Sequence, residues 1–320
     1  MISMATALKA GNNSVNNPES ITVAVSGSTG LIGSHLCGSL QASGNRVLRL
    51  IRDRSQSSSD AILCDPVSGI EPASLLEDAD AIVHLAGENI ASGRWTQGKK
   101  QRIRDSRIRG TRFLCERIGE MKRPPRVLIS ASAVGFYGNR GDLMLSESSP
   151  AGEGYLVDVC REWEAATQAA EDAGCRVVHL RIGVVISRHA GALAQMVRPF
   201  RMGFGGRIGN GHQYWSWVHL EDVVGIIAHC IADDQLRGPV NCVAPNPVTN
   251  NEFTKTLGQV LNRPTLFPLP AVAARLILGQ MANDLLLSSA RVVPQRLIET
   301  DYSFSHASLS SALQAELCSV

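Results

Sequence analysis

Apolar residues along this chain follow two alternating spacings. Short stretches rich in valine, isoleucine, leucine and alanine predict strands at 23–26, 46–51, 61–65, 81–87, 126–132 and 175–186. The apolar run at 81–87 shows no alternation, which suits a strand buried on both faces. Between these runs, apolar residues recur every three or four positions and predict helices, including one within 94–112 and another at about 155–173. Such an alternation predicts an α/β fold built on a doubly wound parallel sheet.

The alternation changes after residue 186. Glycine and arginine dominate 203–211, and a strand at 239–243 and a helix from Asn251 follow. We therefore assign residues 21–186 to one α/β domain, to which strands around 217–243 are expected to return. Residues 187–320 form mainly a second, smaller lobe. Residues 1–20, rich in asparagine and serine, are expected to be a disordered lead-in.

The composition is that of an ordinary globular protein. Apolar residues make up 44% of the 320 and charged residues 19%, and a net charge of +2 gives no reason to expect a nucleic-acid partner. The most apolar run, 271–278, is too short to span a membrane and carries Arg275. Eight scattered cysteines, without CxxC motifs or His/Cys clusters, predict reduced, mostly buried thiols and no metal site.

Location is inferred from the first twenty residues. They lack the apolar core of a secretory signal and the arginines of a transit peptide. The cytoplasm is therefore the expected location, and a plastid is the alternative if a longer targeting segment precedes this sequence.

A glycine-rich turn joins the first strand to the first helix. Its residues are Gly27, Ser28, Thr29, Gly30, Leu31, Ile32 and Gly33. The three glycines suit a tight turn, close approach of a pyrophosphate to the backbone, and close helix–strand packing. The helix N-terminus would offer its N–H groups to the phosphates. This context predicts dinucleotide binding, and the alternative is a tight turn without a ligand.

The end of the second strand selects the type of dinucleotide. Arg52 stands there, and an arginine at this position accommodates the 2′-phosphate of NADP, whereas an acid would bind the ribose of NAD. Asp53 is assigned to the same site, and the alternative is a solvated strand end. The small residues Ala86 and Gly87 at the carboxyl end of the fourth strand would let the cofactor lie close to the backbone, and Leu85 beside them is assigned to the same site.

A basic helix follows that strand. Residues 94–112 hold eight lysines or arginines and one acid, Asp105. Most of these bases are expected on a solvated face, and the alternative is that one or two clamp a phosphate of cofactor or substrate.

These stretches together resemble the extended short-chain dehydrogenase/reductases, and more narrowly their atypical NADP-binding "epimerase family" members. The matching blocks are the glycine turn, 85–90 with 94–95 and 105–107, 130–138, and 199–206 with 217–222. The resemblance implies a Rossmann-type fold, NADP as cofactor, and a smaller C-terminal lobe that binds a small polar substrate, such as a carbonyl compound or sugar nucleotide.

The chain departs from the superfamily at the catalytic pair Tyr-x-x-x-Lys. Counting from Tyr155 puts Val159 at the lysine position, whereas alignment on Glu164 puts Leu156 and Cys160 on the two positions. Neither register supplies the pair. Ala133 stands where the superfamily has serine, with Ser132 one residue earlier, and Arg107 replaces an asparagine. Arg107 is therefore expected to contact cofactor or substrate.

Two functions are consistent with this sequence. The preferred one is an NADP(H)-dependent oxidoreductase or epimerase-like enzyme, with Tyr137 and Ser132 as candidate catalytic residues. Other groups with a suitable proton are Tyr155, Glu88, Glu164 and His219, although each also has a structural interpretation. The alternative is a non-catalytic NADP-binding regulator or scaffold with protein partners, linked to cell or plastid division.

Overall fold

The computed structural model describes residues 20–56, 58–66 and 69–318, so the predicted lead-in lies outside it apart from Ser20. The strands are β1 Thr22–Ser26, β2 Arg46–Ile51, β3 Ala61–Asp65, β4 Gly69–Glu71, β5 Ala81–His84, β6 Val127–Ala133, β7 Met144–Leu145, β8 Arg176–Ile182, β9 Val184–Ile186, β10 Tyr214–Trp215, β11 Trp217–His219, β12 Gly238–Cys242, β13 Val248–Thr249 and β14 Arg291–Val292. The helices are α1 Leu31–Ala42, α2 Ala73–Leu76, α3 Gln97–Gly119, α4 Tyr155–Ala165, α5 Gln168–Asp172, α6 Gly191–Arg201, α7 Leu220–Ala232, α8 Asn250–Val260, α9 Ala271–Leu278, α10 Gln295–Glu299 and α11 Leu309–Cys318.

Eight strands form the central sheet, in the order β12-β8-β6-β5-β1-β2-β3-β4. Neighbouring strands are parallel except β3 and β4, which are antiparallel. The predicted Rossmann-like α/β fold is therefore confirmed. Strand order reverses between β1 and β5, and this switch point is where open parallel sheets bind ligands, at their carboxyl edge.

Helices cover both faces of the sheet. On one face, Leu36 of α1 and Ile227 of α7 pack against Val25 and Val83, and all four are fully buried. On the other face, Leu114 of α3 packs with other α3 and α5 residues against the opposite side chains of the same strands. Burying each large apolar side chain contributes about 1.5–3 kcal/mol to the stability of the folded state. This packing holds in place the strands whose carboxyl ends carry the candidate site.

The predicted strand 175–186 breaks at Gly183 into β8 and β9. A Cβ at Gly183 would lie 2.4 Å from the Ser216 carbonyl oxygen, so this crossing requires glycine. Beyond the break, β9 leaves the central sheet and pairs with β11 in parallel. The break thus directs the chain from the sheet into a second core.

The second core is built by α6, α8, α11 and the short strands β9, β10, β11 and β13. Its buried residues include Leu193, Phe200, Trp217, Phe253 and Leu313. Meanwhile β12 returns to the edge of the central sheet beside β8. Among the described residues, no helix is long and apolar enough to cross a membrane.

Candidate functional site

The glycine turn is a close-packed bend between β1 and α1. Gly27 has a φ of +67°, and a Cβ on it would lie 2.9 Å from the Leu85 carbonyl carbon. A Cβ on Gly33 would lie 2.2 Å from the Gly27 carbonyl oxygen. Gly30 is different, because a Cβ on it would have one neighbour within 4 Å among the described residues beyond those next to it in the chain, the Gly27 oxygen at 3.2 Å. Gly27 and Gly33 therefore shape the turn, whereas Gly30 opens to solvent.

The same turn presents an uncapped helix N-terminus. Gly30 is the N-cap of α1 and supplies no side-chain hydrogen bond to the first amides. Ser28 is buried, and Thr29 and Gly30 are exposed. Free N–H groups at a helix N-terminus suit the phosphates of a dinucleotide, so these residues fit that group.

A buried hydrogen-bond network fixes the end of β5 beside this turn. The Ser26 hydroxyl oxygen accepts the amides of Leu85 at 3.0 Å and Ala86 at 3.2 Å. It lies 2.7 Å from Nδ1 of His84, to which we infer that it donates its proton. Burial lowers the pKa of His84 to about 4, so its imidazole is neutral at pH 7. The Leu85–Gly87 backbone is thereby held against the glycine turn.

The charged residue at the end of β2 is Arg52. It follows β2 directly and is exposed. The neighbouring Asp53 carboxylate accepts the Ser55 amide at 2.9 Å, and this hydrogen bond lowers the pKa of Asp53. Asp53 therefore caps its own turn rather than extending along the strand end.

Arg107 lies against the backbone of Gly87. A Cβ on Gly87 would lie 3.4 Å from the Arg107 guanidinium carbon. Nη1 of Arg107 donates to the carbonyl oxygens of Glu88 at 3.0 Å and Ile103 at 3.2 Å, and the guanidinium lies 5.0 Å from the centroid of the Trp163 ring. Burial lowers the pKa of Arg107. Of the basic residues in 94–112, this one is held at the carboxyl edge of the sheet.

Glu88 and Tyr155 both form hydrogen bonds with α3 near that edge. Nζ of Lys99 donates to Glu88 at 2.7 Å and to the Ser92 hydroxyl at 2.7 Å. The Lys99 interaction lowers the pKa of Glu88. The Tyr155 hydroxyl donates to the Lys100 carbonyl oxygen at 2.7 Å, and burial raises its pKa. These contacts close the loop after β5 onto α3.

Tyr137 is fully buried beneath the sheet edge. Its hydroxyl donates to Oδ1 of Asn241 at 2.7 Å and accepts from Nη1 of Arg181 at 2.9 Å. Burial raises the pKa of Tyr137, and the nearby Arg181 charge opposes this effect. A hydroxyl with both hydrogen-bonding directions occupied inside the protein is a poor proton donor to a ligand. These hydrogen bonds tie Tyr137 to β8 and β12.

Ser132 joins the same network from β6. Its hydroxyl donates to Oε1 of Glu164 at 2.7 Å. Arg181 donates to both Glu164 oxygens, from Nε and Nη2, at 2.8 Å each. Its guanidinium also stacks on Phe136, 3.5 Å from the ring centroid. The two candidate catalytic residues, Ser132 and Tyr137, are thus linked through the buried pair of Glu164 and Arg181.

Leu156 and Cys160 lie together over Gly135. A Cβ on Gly135 would be 3.6 Å from Cβ of Leu156 and 3.7 Å from Sγ of Cys160. The Cys160 thiol is buried 3.8 Å from the Ala133 carbonyl oxygen, and burial raises its pKa to about 12. In this register an alkyl group and a protonated thiol occupy the positions of the superfamily's tyrosine and lysine.

The matches with known proteins agree with this architecture. A family model described as the NAD dependent epimerase/dehydratase family matches residues 23–242. The chain belongs to this epimerase family. A second model, for a domain of unknown function, matches residues 269–316. The family membership expected from the sequence motifs is confirmed.

Individual family members are similar over nearly their whole length. An epimerase family protein of Mycobacterium tuberculosis is 43% identical over 291 residues, which cover 91% of this chain and 96% of that protein. A chloroplastic relative of Arabidopsis thaliana is 38% identical, covering 92% and 86%. The crystal structure of human epimerase family protein SDR39U1 with NADPH superimposes with a TM-score of 0.86 at 33% identity, covering 94% of this chain and all of that one.

The epimerase-family motifs do not point to Arg181 or Asn241, which organise the buried network. Arg181 interrupts the apolar run of β8, and a charged residue inside a buried strand is a signal that could have marked it. Asn241 meets Tyr137 from 104 residues away, so no local pattern reveals it. His219, the remaining candidate, caps α7 by accepting the Glu221 amide at 3.3 Å.

Cysteine placement agrees with the expectation of buried thiols. All eight cysteines are free, and they are buried except Cys64, which is half-buried, and Cys318, which is exposed.

Proposed function

We propose that this epimerase-family protein binds NADP(H) across the carboxyl edge of its central sheet. The glycine turn, with Ser28 and Thr29, would hold the pyrophosphate, and the Leu85–Gly87 backbone and Arg107 would lie beside the nicotinamide half. The open space above Gly30 supports this proposal, as does the NADPH in the crystal structure of the human relative. Bound NADP(H) supplies a hydride donor or acceptor at this edge.

Arg52 would distinguish NADP from NAD. Its guanidinium is exposed at the end of β2, and a planar fork of donors suits a phosphate. Asp53 binds its own loop through the Ser55 amide, which supports Arg52 as the group that recognises the 2′-phosphate.

We further propose that binding of the cofactor, without tyrosine-dependent proton transfer, is the main activity of this site. One observation carries this proposal: the hydroxyls and carboxylates suggested as proton donors are all bonded to other groups of the protein. Those residues are Tyr137, Ser132, Tyr155, Glu88 and Glu164. A site of this kind supports a non-catalytic NADP-binding regulator that acts through protein partners.

An NADP(H)-dependent oxidoreductase acting on a small polar carbonyl or sugar-nucleotide substrate is the second candidate. Arg107 favours it, because a partly buried cation beside Gly87 would stabilise negative charge that develops on a substrate oxygen. The proton would then have to come from water.

A pair of experiments separates the two functions. Fluorescence titration of the full chain with NADPH and NADH should give tighter binding of NADPH. A screen of NADPH oxidation over carbonyl compounds and sugar nucleotides should then give no turnover above the protein-free rate. Turnover that is lost in Arg107→Gln and kept in the control Arg109→Gln, an exposed arginine of the same helix, would instead establish the oxidoreductase. Failure to bind either nucleotide would refute both functions.

The location of the protein is part of the same proposal. The chloroplastic Arabidopsis relative supports a plastid, the alternative to the cytoplasm. Imaging a fluorescent fusion of the complete gene product would decide between them.

A further inference from the structure

Two histidines and a glutamate from distant parts of the chain meet beside the second core. His219 ends β11, Glu221 lies in the first turn of α7, and His306 precedes α11. Nε2 of His306 is 2.9 Å from Oε2 of Glu221, and Nδ1 of His219 is 3.9 Å from the same oxygen. One nitrogen or oxygen from each residue falls within 4.8 Å of the others. Such a convergence of imidazole and carboxylate groups is the ligand set of a transition-metal site.

We propose that His219, Glu221 and His306 bind a divalent transition metal ion of the zinc class. Zinc ligands lie about 2.0–2.2 Å from the ion in a tetrahedron, which places ligand atoms about 3.3 Å from one another. The separations of 2.9 Å and 3.9 Å lie on either side of this value. Side-chain movements would bring the three ligand atoms, which all lie within 4.8 Å of one another, to this spacing.

The surroundings of His219 fit a metal ligand. Its Nδ1 accepts the Glu221 amide at 3.3 Å, which puts the ring proton on Nε2, and a metal ion bound at Nδ1 would replace this hydrogen bond. The buried Nε2 makes no hydrogen bond within the described part of the chain, although Oε1 of Glu316 lies 3.3 Å from it. The other Glu316 oxygen accepts the Arg188 amide at 2.7 Å. A histidine ligand whose second nitrogen faces a carboxylate is the usual outer-shell arrangement of zinc sites.

The loop that carries His306 is fixed in place before any metal binds. The Asp222 carboxylate accepts the Ser305 amide at 2.7 Å and the His306 amide at 3.0 Å. The two imidazole rings lie 3.9 Å apart, centroid to centroid. Nδ1 of His306 is buried and has no hydrogen-bond partner among the described residues. Preorganised ligands reduce the entropy that metal binding would otherwise cost.

The donor atoms select the class of metal. Two imidazole nitrogens favour zinc, cobalt or nickel over magnesium and calcium, which prefer oxygen ligands. The Glu221 side chain is 71% exposed, so the cluster opens to solvent on that side, and a water molecule would complete the tetrahedron. The bound metal would tie the segment before α11 to the start of α7.

The test uses full-length protein without a polyhistidine tag, stripped of metal by a chelator. We expect Co²⁺ to bind at about one equivalent per chain with the visible absorption of a tetrahedral complex, and Zn²⁺ to displace it. Glu316→Gln should weaken Zn²⁺ binding about 10–100-fold, as outer-shell changes do. His306→Ala and Glu221→Gln should weaken it further. Glu221 is exposed, so its replacement is a test that does not endanger folding.

Two control variants exclude other metal-binding groups. His212→Ala removes an exposed histidine elsewhere, and Cys318→Ser removes the exposed thiol of α11, so both should bind Zn²⁺ like the parent. Absence of stoichiometric Co²⁺ and Zn²⁺ binding would overturn the proposal, as would equal affinity in the parent and Glu221→Gln. NADPH binding by the metal-free protein is titrated in parallel, so that a failure to bind metal is distinguished from a failure of the cofactor site.

Discussion

The Arg181 guanidinium binds both oxygens of the Glu164 carboxylate at 2.8 Å, and both side chains are almost entirely buried, at 4% and 12% exposure. This ion pair links β8 to α4 directly beneath the candidate site. Removing one partner of a buried pair leaves the other charge without compensation, which costs far more than the loss of a surface pair.

Glu164→Gln should therefore lower the free energy of unfolding by about 3–5 kcal/mol, measured by urea denaturation. The matched control is Glu162→Gln on the same helix, whose carboxylate pairs with Arg104 in a half-exposed position. That change should cost about 0–1 kcal/mol. Similar losses in the two variants would contradict the assigned role of the buried pair.

Two glycines of the turn should separate folding from cofactor binding. Gly30→Val should keep the parent melting temperature and lose NADPH binding. The Cβ of the new side chain would have one close neighbour among the described residues, the Gly27 oxygen at 3.2 Å, and the side chain would fill the space above the turn. Gly33→Ala should instead lower the melting temperature in addition to weakening NADPH binding, because its Cβ would lie 2.2 Å from the Gly27 oxygen. Thermal melts and NADPH titrations of both variants give the comparison. Normal NADPH binding by folded Gly30→Val would remove the turn from the cofactor site.

Arg52→Ala should weaken NADPH binding and leave NADH binding unchanged. Hydrogen bonds to charged groups contribute about 1.5–3 kcal/mol, so the loss for NADPH should be roughly 10–150-fold. Arg46→Ala is the control, since Arg46 lies at the opposite end of the same strand and pairs with Asp60. The prediction fails if Arg52→Ala retains the parent's ratio of NADPH to NADH affinity.

The free energy of unfolding should decrease at acidic pH because of His84. Its pKa is about 4 in the folded protein against an ordinary 6.5, owing to burial. The unfolded chain therefore takes up a proton first as pH falls, and stability that is complete above about pH 6.5 is lost progressively toward pH 4. The maximum loss is about 3 kcal/mol, from 1.36 kcal/mol per pKa unit.

The contribution of His84 can be isolated with one variant. His84→Asn keeps an acceptor for the Ser26 hydroxyl and cannot titrate. Its urea-denaturation free energy should therefore change less between pH 7.5 and pH 5 than that of the parent. Identical pH profiles would show that His84 does not carry the effect.

The central strands could be predicted closely because their signal is local. β2 spans the predicted residues 46–51, since four of its six residues are apolar and buried. The predicted helix 155–173 instead divides into α4 and α5 at Thr167, whose hydroxyl donates to the Glu164 carbonyl oxygen and contacts His179. This division depends on the contact with His179 of β8, which the helical spacing of apolar residues cannot reveal.

The same distinction between local and long-range signals applies to the candidate site. The glycine spacing and the position of Arg52 after β2 are local features of the sequence, so the motif predicts them, and their contacts with a cofactor stay predictions. The environment of Tyr137 depends on Arg181 and Asn241, 44 and 104 residues away. Its position after a strand could be predicted, whereas its enclosure could not. His306 and Glu221 are likewise 85 residues apart, which hides their cluster from any search for closely spaced ligands.

The glycine crossing at Gly183 limits how the two lobes can move. The backbone at Ser216, just before β11, passes so close to Gly183 that no side chain fits, and the Val184 amide is bonded to the Ser216 carbonyl oxygen at 2.8 Å. Rotation about this point would drive the two backbones into each other, so the crossing acts as a rigid corner and not as a hinge. We therefore expect any movement of the second core over a bound cofactor to occur in segments beyond this corner.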